Sequence, residues 1–166
     1  MKTLKIFATA LLLSITSMGF AQDSDVLTAS ARIIDNVTVT QENDLYFGQF
    51  AAGDGSIVLL TDETAGRFRV DAVIGSEVTL TLTGLGDLED DASNTLEVIW
   101  TAGVASNDDY TSNTDEWGDP SIAKVVNATS ADPFFVFIGG EITEAASTTA
   151  PAGVYEKEIT LSVEYN

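Results

Sequence analysis

The sequence predicts an all-β domain, a sandwich or barrel of short antiparallel strands. Three observations carry this. Apolar and polar residues alternate with period two along most of the chain. Clusters of Gly, Asp, Asn and Ser break the alternation at short intervals. No stretch carries a convincing helical period. Short alternating strands between turn signals mark sandwiches and barrels. Alternation on one side only favours antiparallel sheets with one wet face. Two such sheets packed face to face form a core without a helix.

The first residues stand apart from this pattern. Lys2 and Lys5 precede an apolar run over 6–15, and Gly19-Phe20-Ala21 supplies small residues before a cut after Ala21. This predicts a secretory signal peptide over 1–21. The run is too short for a stable transmembrane helix, and no second long apolar stretch follows. The expectation is therefore a single β-sandwich domain over 22–166, exported, without a transmembrane segment.

Element by element, Leu27, Ala29, Ala31 and Ile33 alternate with Thr28, Ser30 and Arg32. Asp35-Asn36 interrupts, and Val37 and Val39 resume the phase. "DLYFGQF" at 44–50 reads as a strand with Leu45 and Phe47 facing one way. Short runs follow at 55–60 and 67–73. "EVTLTLTG" at 77–84 sets Val78, Leu80 and Leu82 inward and threonines outward. "TLEVIWT" at 95–101 places Leu96, Val98 and Trp100 on one face, with Trp100 in the core. Strands at 122–128 and 133–140 come next. In the closing strand Tyr155, Ile159, Leu161, Val163 and Tyr165 share a side with Lys157, while Glu156, Glu158, Thr160, Ser162 and Glu164 lie opposite. Loops 84–94 and 106–120 are long, polar and acidic, as functional or mobile connections often are.

Composition narrows the chemistry. The chain carries 26 acidic and 7 basic residues, a net charge of −19, and loss of Lys2 and Lys5 makes it more acidic still. Such a surface repels nucleic acid and anionic lipid. Cysteine and histidine are both absent. No disulfide holds the domain, although export would permit one. The usual general base at neutral pH is missing, a Ser-His-Asp triad cannot form, and no phosphate-binding glycine loop precedes a helix. The expectation is a protein that is not an enzyme and needs no cofactor.

Calcium is the one metal the acidic loops suggest, since it takes six to eight oxygen ligands. Its candidate ligands are Asp87, Glu89, Asp90, Asp91, Asp108 and Asp109, although no EF-hand loop is present. Tyr110 and Trp117 lie in the second acidic loop and are candidate ligand contacts, because an exposed aromatic ring can stack on a sugar or a partner surface. Turn chemistry for the acids and folding back of the rings are the plainer alternatives.

The order of pieces then resembles a family of exported bacterial domains, the domain of unknown function 4402 family. The likeness rests on "ASARIIDNVTVTQENDLYFGQF", "FRVDAV", "EVTLTLTG", the Gly-Gly after "FFVFI", and "APAGVYEKEITLSVEY". That family is similar to fimbrial, pilin-like subunits. The resemblance implies an immunoglobulin-like or pilin-like antiparallel β-sandwich. Gly153 stands fourteenth from the end and Tyr165 is penultimate, as in pilins assembled through a chaperone. The absence of cysteine and the long loop around Trp117 depart from the closest pilin classes.

The resemblance implies a structural subunit of the cell surface, fimbrium or extracellular space that pairs through β-strand edges. Its partners would be protein, through self-assembly or a periplasmic chaperone, and not nucleic acid. Leu27, Ala29, Ala31 and Ile33 would form a donor face, or equally the first strand of this domain itself. Gly153, Tyr155, Ile159, Leu161, Val163 and Tyr165 would line the acceptor. The alternative is a self-complete extracellular binding module that takes a carbohydrate or protein through loops 84–94 and 106–120, with calcium.

Overall fold

The structure is a computed structural model, and it describes residues 36–111, 114–128 and 133–166. The strands are β1 Thr38–Asn43, β2 Ser56–Val58, β3 Gly66–Asp71, β4 Glu77–Thr83, β5 Leu88–Glu89, β6 Thr95–Leu96, β7 Ile99–Ala105, β8 Thr114–Glu116, β9 Lys124–Asn127, β10 Phe134–Ile142 and β11 Thr160–Tyr165, with the short helix α1 Glu144–Thr149 between the last two. The larger sheet runs β1-β3-β10-β7-β8, and β2 adds to the far end of β10. The second sheet runs β11-β4-β9, and β5 and β6 form a separate hairpin. Every described pairing is antiparallel. The fold is the all-β sandwich that the alternation predicts.

The core lies between the two sheets. Val70, Val104, Phe134, Val136 and Ile138 meet Val78, Leu80, Leu82 and Leu161 from the other side. In β4 the pattern works as read: Val78, Leu80 and Leu82 are buried, and Thr79, Thr81 and Thr83 stay accessible. Each fully buried side chain of this size contributes about 1.5–3 kcal/mol.

β10 is different. Its unbroken apolar run is buried on both faces, as such runs usually are. Phe134, Val136 and Ile138 enter the main core. Phe135 and Phe137 point the other way into a small second cluster with Ala105, covered by Leu60 and Tyr110. This sheet therefore lacks the fully wet outer face that simple alternation predicts. Gly139 lets β2 and β7 approach β10 closely, because an added Cβ would lie 2.4 Å from the Val58 carbonyl oxygen.

Four expectations change. Residues 44–50 do not form a strand. Asn43 ends β1 by donating to the carbonyls of Glu63 and Ala65, and Gly48 turns the chain at φ +84°. Residues 95–101 split between β6 and β7, leaving Trp100 half-buried rather than central. Its Nε1 donates to the Gly86 carbonyl at 3.1 Å. The loop at 106–120 contains β8, which pairs Glu116 with Gly103 and Thr114 with Ala105. A helix also exists: Thr143 Oγ1 accepts from the Ala146 amide at its start, and Pro151 follows its end. The cap is a recognisable start signal, but six residues are too few to show a helical period.

Gly139→Ala should lower stability by about 1–3 kcal/mol, because the new methyl collides with backbone rather than a movable side chain. Gly86→Ala meets only the end of Lys157, at 3.8 Å, and should stay within about 0.5 kcal/mol of the parent. Urea melts of the two variants make the comparison.

Candidate functional site: an open strand edge beside an apolar groove

β11 has one hydrogen-bonded neighbour among the described residues, β4. The register sets Leu161 against Leu82, Val163 against Leu80 and Tyr165 against Val78. β1 comes close to β11 but is not paired with it. The other side of β11 is therefore a free edge among the described residues. A free edge carries backbone donors and acceptors that another strand can use.

The core-facing side of β11 is only partly covered. Leu161 is buried, while Ile159, Val163 and Tyr165 are half-buried against the main core. Their neighbours Val78 and Leu80 are completely buried. The alternation holds over 160–165, while the closing strand expected from 155 starts only at Thr160, and the sandwich closes less tightly here than at its centre. Tyr165 fixes the far end, because its hydroxyl accepts from the Val73 amide at 3.1 Å. At the near end the Tyr155 hydroxyl donates to the Pro151 carbonyl at 2.7 Å. Burial, and then the Asp90 carboxylate, hold the Tyr155 phenol above its ordinary range.

Next to this edge lies an open groove of about 1340 Å³. Leu45, Phe47, Phe50, Leu88, Trp100 and Ile159 give it an apolar lining. Phe47 meets Trp100 edge to face, with ring centroids 6.2 Å apart. Lys157 also lines it and bonds Glu89 Oε1 through Nζ at 2.7 Å. Glu89 and Glu156 exchange backbone hydrogen bonds, which tie the approach to β11 to the β5–β6 hairpin.

Of the acceptor residues, Gly153, Tyr155 and Ile159 border the groove, and Leu161, Val163 and Tyr165 continue below it on β11. Gly153 is not there for a left-handed turn, since its φ lies outside that region; a Cβ would instead meet Asp90 Oδ2 at 3.3 Å. Leu27, Ala29, Ala31 and Ile33 lie outside the described residues. The contribution of residues 44–52 to the groove is not visible in the alternation. Its only sequence signal is the cluster of aromatics around Gly48.

The acidic and aromatic candidates have local tasks. Among the described residues no three acidic side chains come together to hold a metal ion. Asp87, Glu89, Asp90 and Asp91 sit along one hairpin, and Asp108 and Asp109 belong to another loop. Glu89 pairs with Lys157. Asp90 closes the hairpin turn by accepting from the amides of Ala92 and Asn94 and from Asn94 Nδ2. The Asn94 side chain, and then its amide, hold the Asp90 carboxyl below the usual range. Asp108 gives its carbonyl to Arg67, and Asp109 accepts from the Thr111 hydroxyl.

Trp117 is a core residue rather than a ligand contact. It is 5% exposed and packs in the main cluster. The chain continues beyond β8, with the Trp117 amide bonded to the Ala102 carbonyl and Nε1 to that of Ile122 at 2.7 Å. Tyr110 likewise folds back. Its ring lies 5.3 Å from Phe137, in space that only a glycine at 103 leaves open. Its buried hydroxyl has no hydrogen-bond partner among the described residues. Burial, then Glu116 and Asp115, push the phenol above its ordinary value.

No known family model matches this chain, and no curated protein matches it.

Trp117→Ala should destabilise the fold by about 3–5 kcal/mol, as for other buried aromatics; chemical denaturation measures it. Tyr110 should ionise above the usual phenol value near ~10, in a phenolate-absorbance titration, and Tyr110→Phe should remove that component. The folded chain holds this proton more tightly than the unfolded one. Its contribution to stability is thus intact below the unfolded value and declines as pH rises beyond it, so Tyr110→Phe should flatten the alkaline loss.

Proposed function

We propose that the protein is an exported, non-enzymatic structural subunit of a pilus-like or other cell-surface assembly, joined by pairing of β-strand edges. The observation that carries this is the edge of β11 that is free among the described residues, with half-covered apolar residues beside an apolar groove. An added strand would satisfy the edge backbone and cover Ile159, Val163 and Tyr165 together. The absence of histidine, cysteine and a phosphate-binding loop supports a structural rather than a catalytic task.

The donor in this reading is the alternating segment 27–33 of another copy. Ala29 and Ala31 are small enough to lie over Leu161 and Val163, and Leu27 and Ile33 supply apolar bulk at the ends. Before assembly a periplasmic chaperone would cover the same edge. The basic start, apolar run and small residues before Ala21 support export.

The mature chain should form oligomers that grow with concentration, measured by sedimentation and electron microscopy. Ala29→Asp with Ala31→Asp places two carboxylates against apolar surface and should reduce association at least about tenfold. A chain that stays monomeric, melts reversibly and tolerates deletion of 27–33 at no cost would sink the reading.

A further inference from the structure

We infer that the groove binds a small organic cation, an ammonium or guanidinium group on an aromatic or alkyl body, where Phe47, Trp100 and Tyr155 lie beside Glu89, Glu156 and Glu158. The inference does not rest on strand pairing, and these residues all precede β11.

The apolar half of the site is built into the fold. Leu88 and Leu96 of the β5–β6 hairpin and Ile142 of β10 belong to one buried cluster, and Phe47, Trp100 and Tyr155 pack against it half-buried. All of them line the groove. The Trp100 ring is held in place, because Nε1 donates to the Gly86 carbonyl at 3.1 Å and Phe47 meets it edge to face. Half-buried rings along an opening leave surface for a ligand body to cover. Apolar and aromatic walls with a few placed polar groups are the ordinary form of a small-molecule site.

The polar half is negative. Four carboxylates, of Asp44, Glu89, Glu156 and Glu158, line the groove against one ammonium, Lys157, which leaves three negative charges among the described residues. Lys157 Nζ answers Glu89 at 2.7 Å. Glu156 and Glu158 have no ion pair with a described residue. Glu89 and Glu156 also exchange backbone hydrogen bonds, both at 3.0 Å, which sets their Cα atoms about 5.5 Å apart. Like charges directly opposite one another are unfavourable. A second cation at this point relieves that repulsion.

Hydrogen-bond capacity selects the same class of ligand. The side-chain donors on these walls are largely in use within the protein. Asn43 donates to the Glu63 and Ala65 carbonyls, Gln41 to Asp44, Tyr155 to the Pro151 carbonyl and Lys157 to Glu89. Acceptors remain, and an ionised carboxylate only accepts. A ligand that fits must therefore donate. A sugar hydroxyl offers an acceptor with every donor, and a fatty acid brings a charge of the wrong sign. A bare metal ion fits no better, since no three acidic side chains among the described residues come together to hold one. An amine or guanidinium on an apolar body satisfies the rim and the walls at once.

The test titrates the mature chain with 2-phenylethylamine, and with 2-phenylethanol and 3-phenylpropionate as its neutral and anionic counterparts. Calorimetry measures affinity, and NMR of the indole N–H groups locates the site. The chain has two tryptophans. Trp100 lines the groove and Trp117 is buried in the main core, so a groove ligand should move one indole signal and leave the other. Trp100→Phe assigns them. The amine should bind saturably, the alcohol about fivefold more weakly, as an accessible charge pair allows, and the acid not at all. Glu156→Gln with Glu158→Gln should weaken the amine about fivefold and leave the melting temperature unchanged. Glu97→Gln with Glu141→Gln removes the same charge at exposed positions outside the groove and should leave the affinity unchanged. Equal weakening by the two pairs of substitutions would reduce the effect to bulk attraction and overturn the inference. Equal affinity for amine and alcohol would overturn it too, as would a dissociation constant weaker than about 1 mM or no movement of the Trp100 signal. Saturable, charge-selective binding by a chain that stays monomeric would uphold this site while the assembly proposed above failed.

Discussion

The two-sided burial of β10 is the constraint on which the rest of the fold depends. Its pairing with β3, β2 and β7 makes it the spine of the larger sheet. Phe134, Val136 and Ile138 hold the second sheet across the core, while Phe135 and Phe137 gather Leu60 and Tyr110 on the opposite face. Gly139 and Gly140 sit where β10 changes its partner from β3 to β2. Any Cβ there would press on the Val58 or Ile99 carbonyl oxygen. The segment "FFVFIGG" thus combines dense apolar contact with a stretch where neighbouring backbones need the space.

This explains what the amino-acid order reveals. Where a strand has one buried face, as in β4, period two states which side chains go inward. The closing strand is legible for the same reason over Thr160–Tyr165, although 155–159 lead into it without strand pairing of their own beyond one bridge at Glu156. Alternation fails where the determining contact is distant in sequence. Residues 44–50 look extended and apolar, but Asn43 is held by the 63–65 turn and the Tyr46 amide by Thr64. Trp117 looks exposed because acids surround it, yet pairing of β8 with β7 draws the chain inward and buries its ring. The groove was least legible, because its walls come from segments about a hundred residues apart.

The acids follow local rules more than collective ones. Asp90 and Asp119 each accept hydrogen bonds within their own turns, and those bonds hold both carboxyls below the usual range. The Asp119 shift comes first from the Ser121 hydroxyl and then from its amide. Lysine and arginine answer few of the remaining charges, through Glu42, Asp71, Asp115 and Glu89. The surplus remains on the surface, where it opposes close approach of identical copies until short-range contacts form. Its reach is about 8–10 Å at moderate salt.

That repulsion gives the β11 edge its particular character. An unpaired strand beside apolar surface is ordinarily an aggregation hazard, and outward charges on such a strand reduce it. Glu164 faces away from the core side of β11, and Glu156 and Glu158 line the groove beside Lys157, so a bare sheet edge approaching from solvent meets negative charge. Lys157 breaks the series, but Glu89 already holds its ammonium group. In the proposed assembly the same edge would discriminate against indiscriminate sheet growth and still admit one complementary segment. Discrimination of this kind needs only weak charge effects, because apolar contact supplies the affinity while charge placement separates one partner from another.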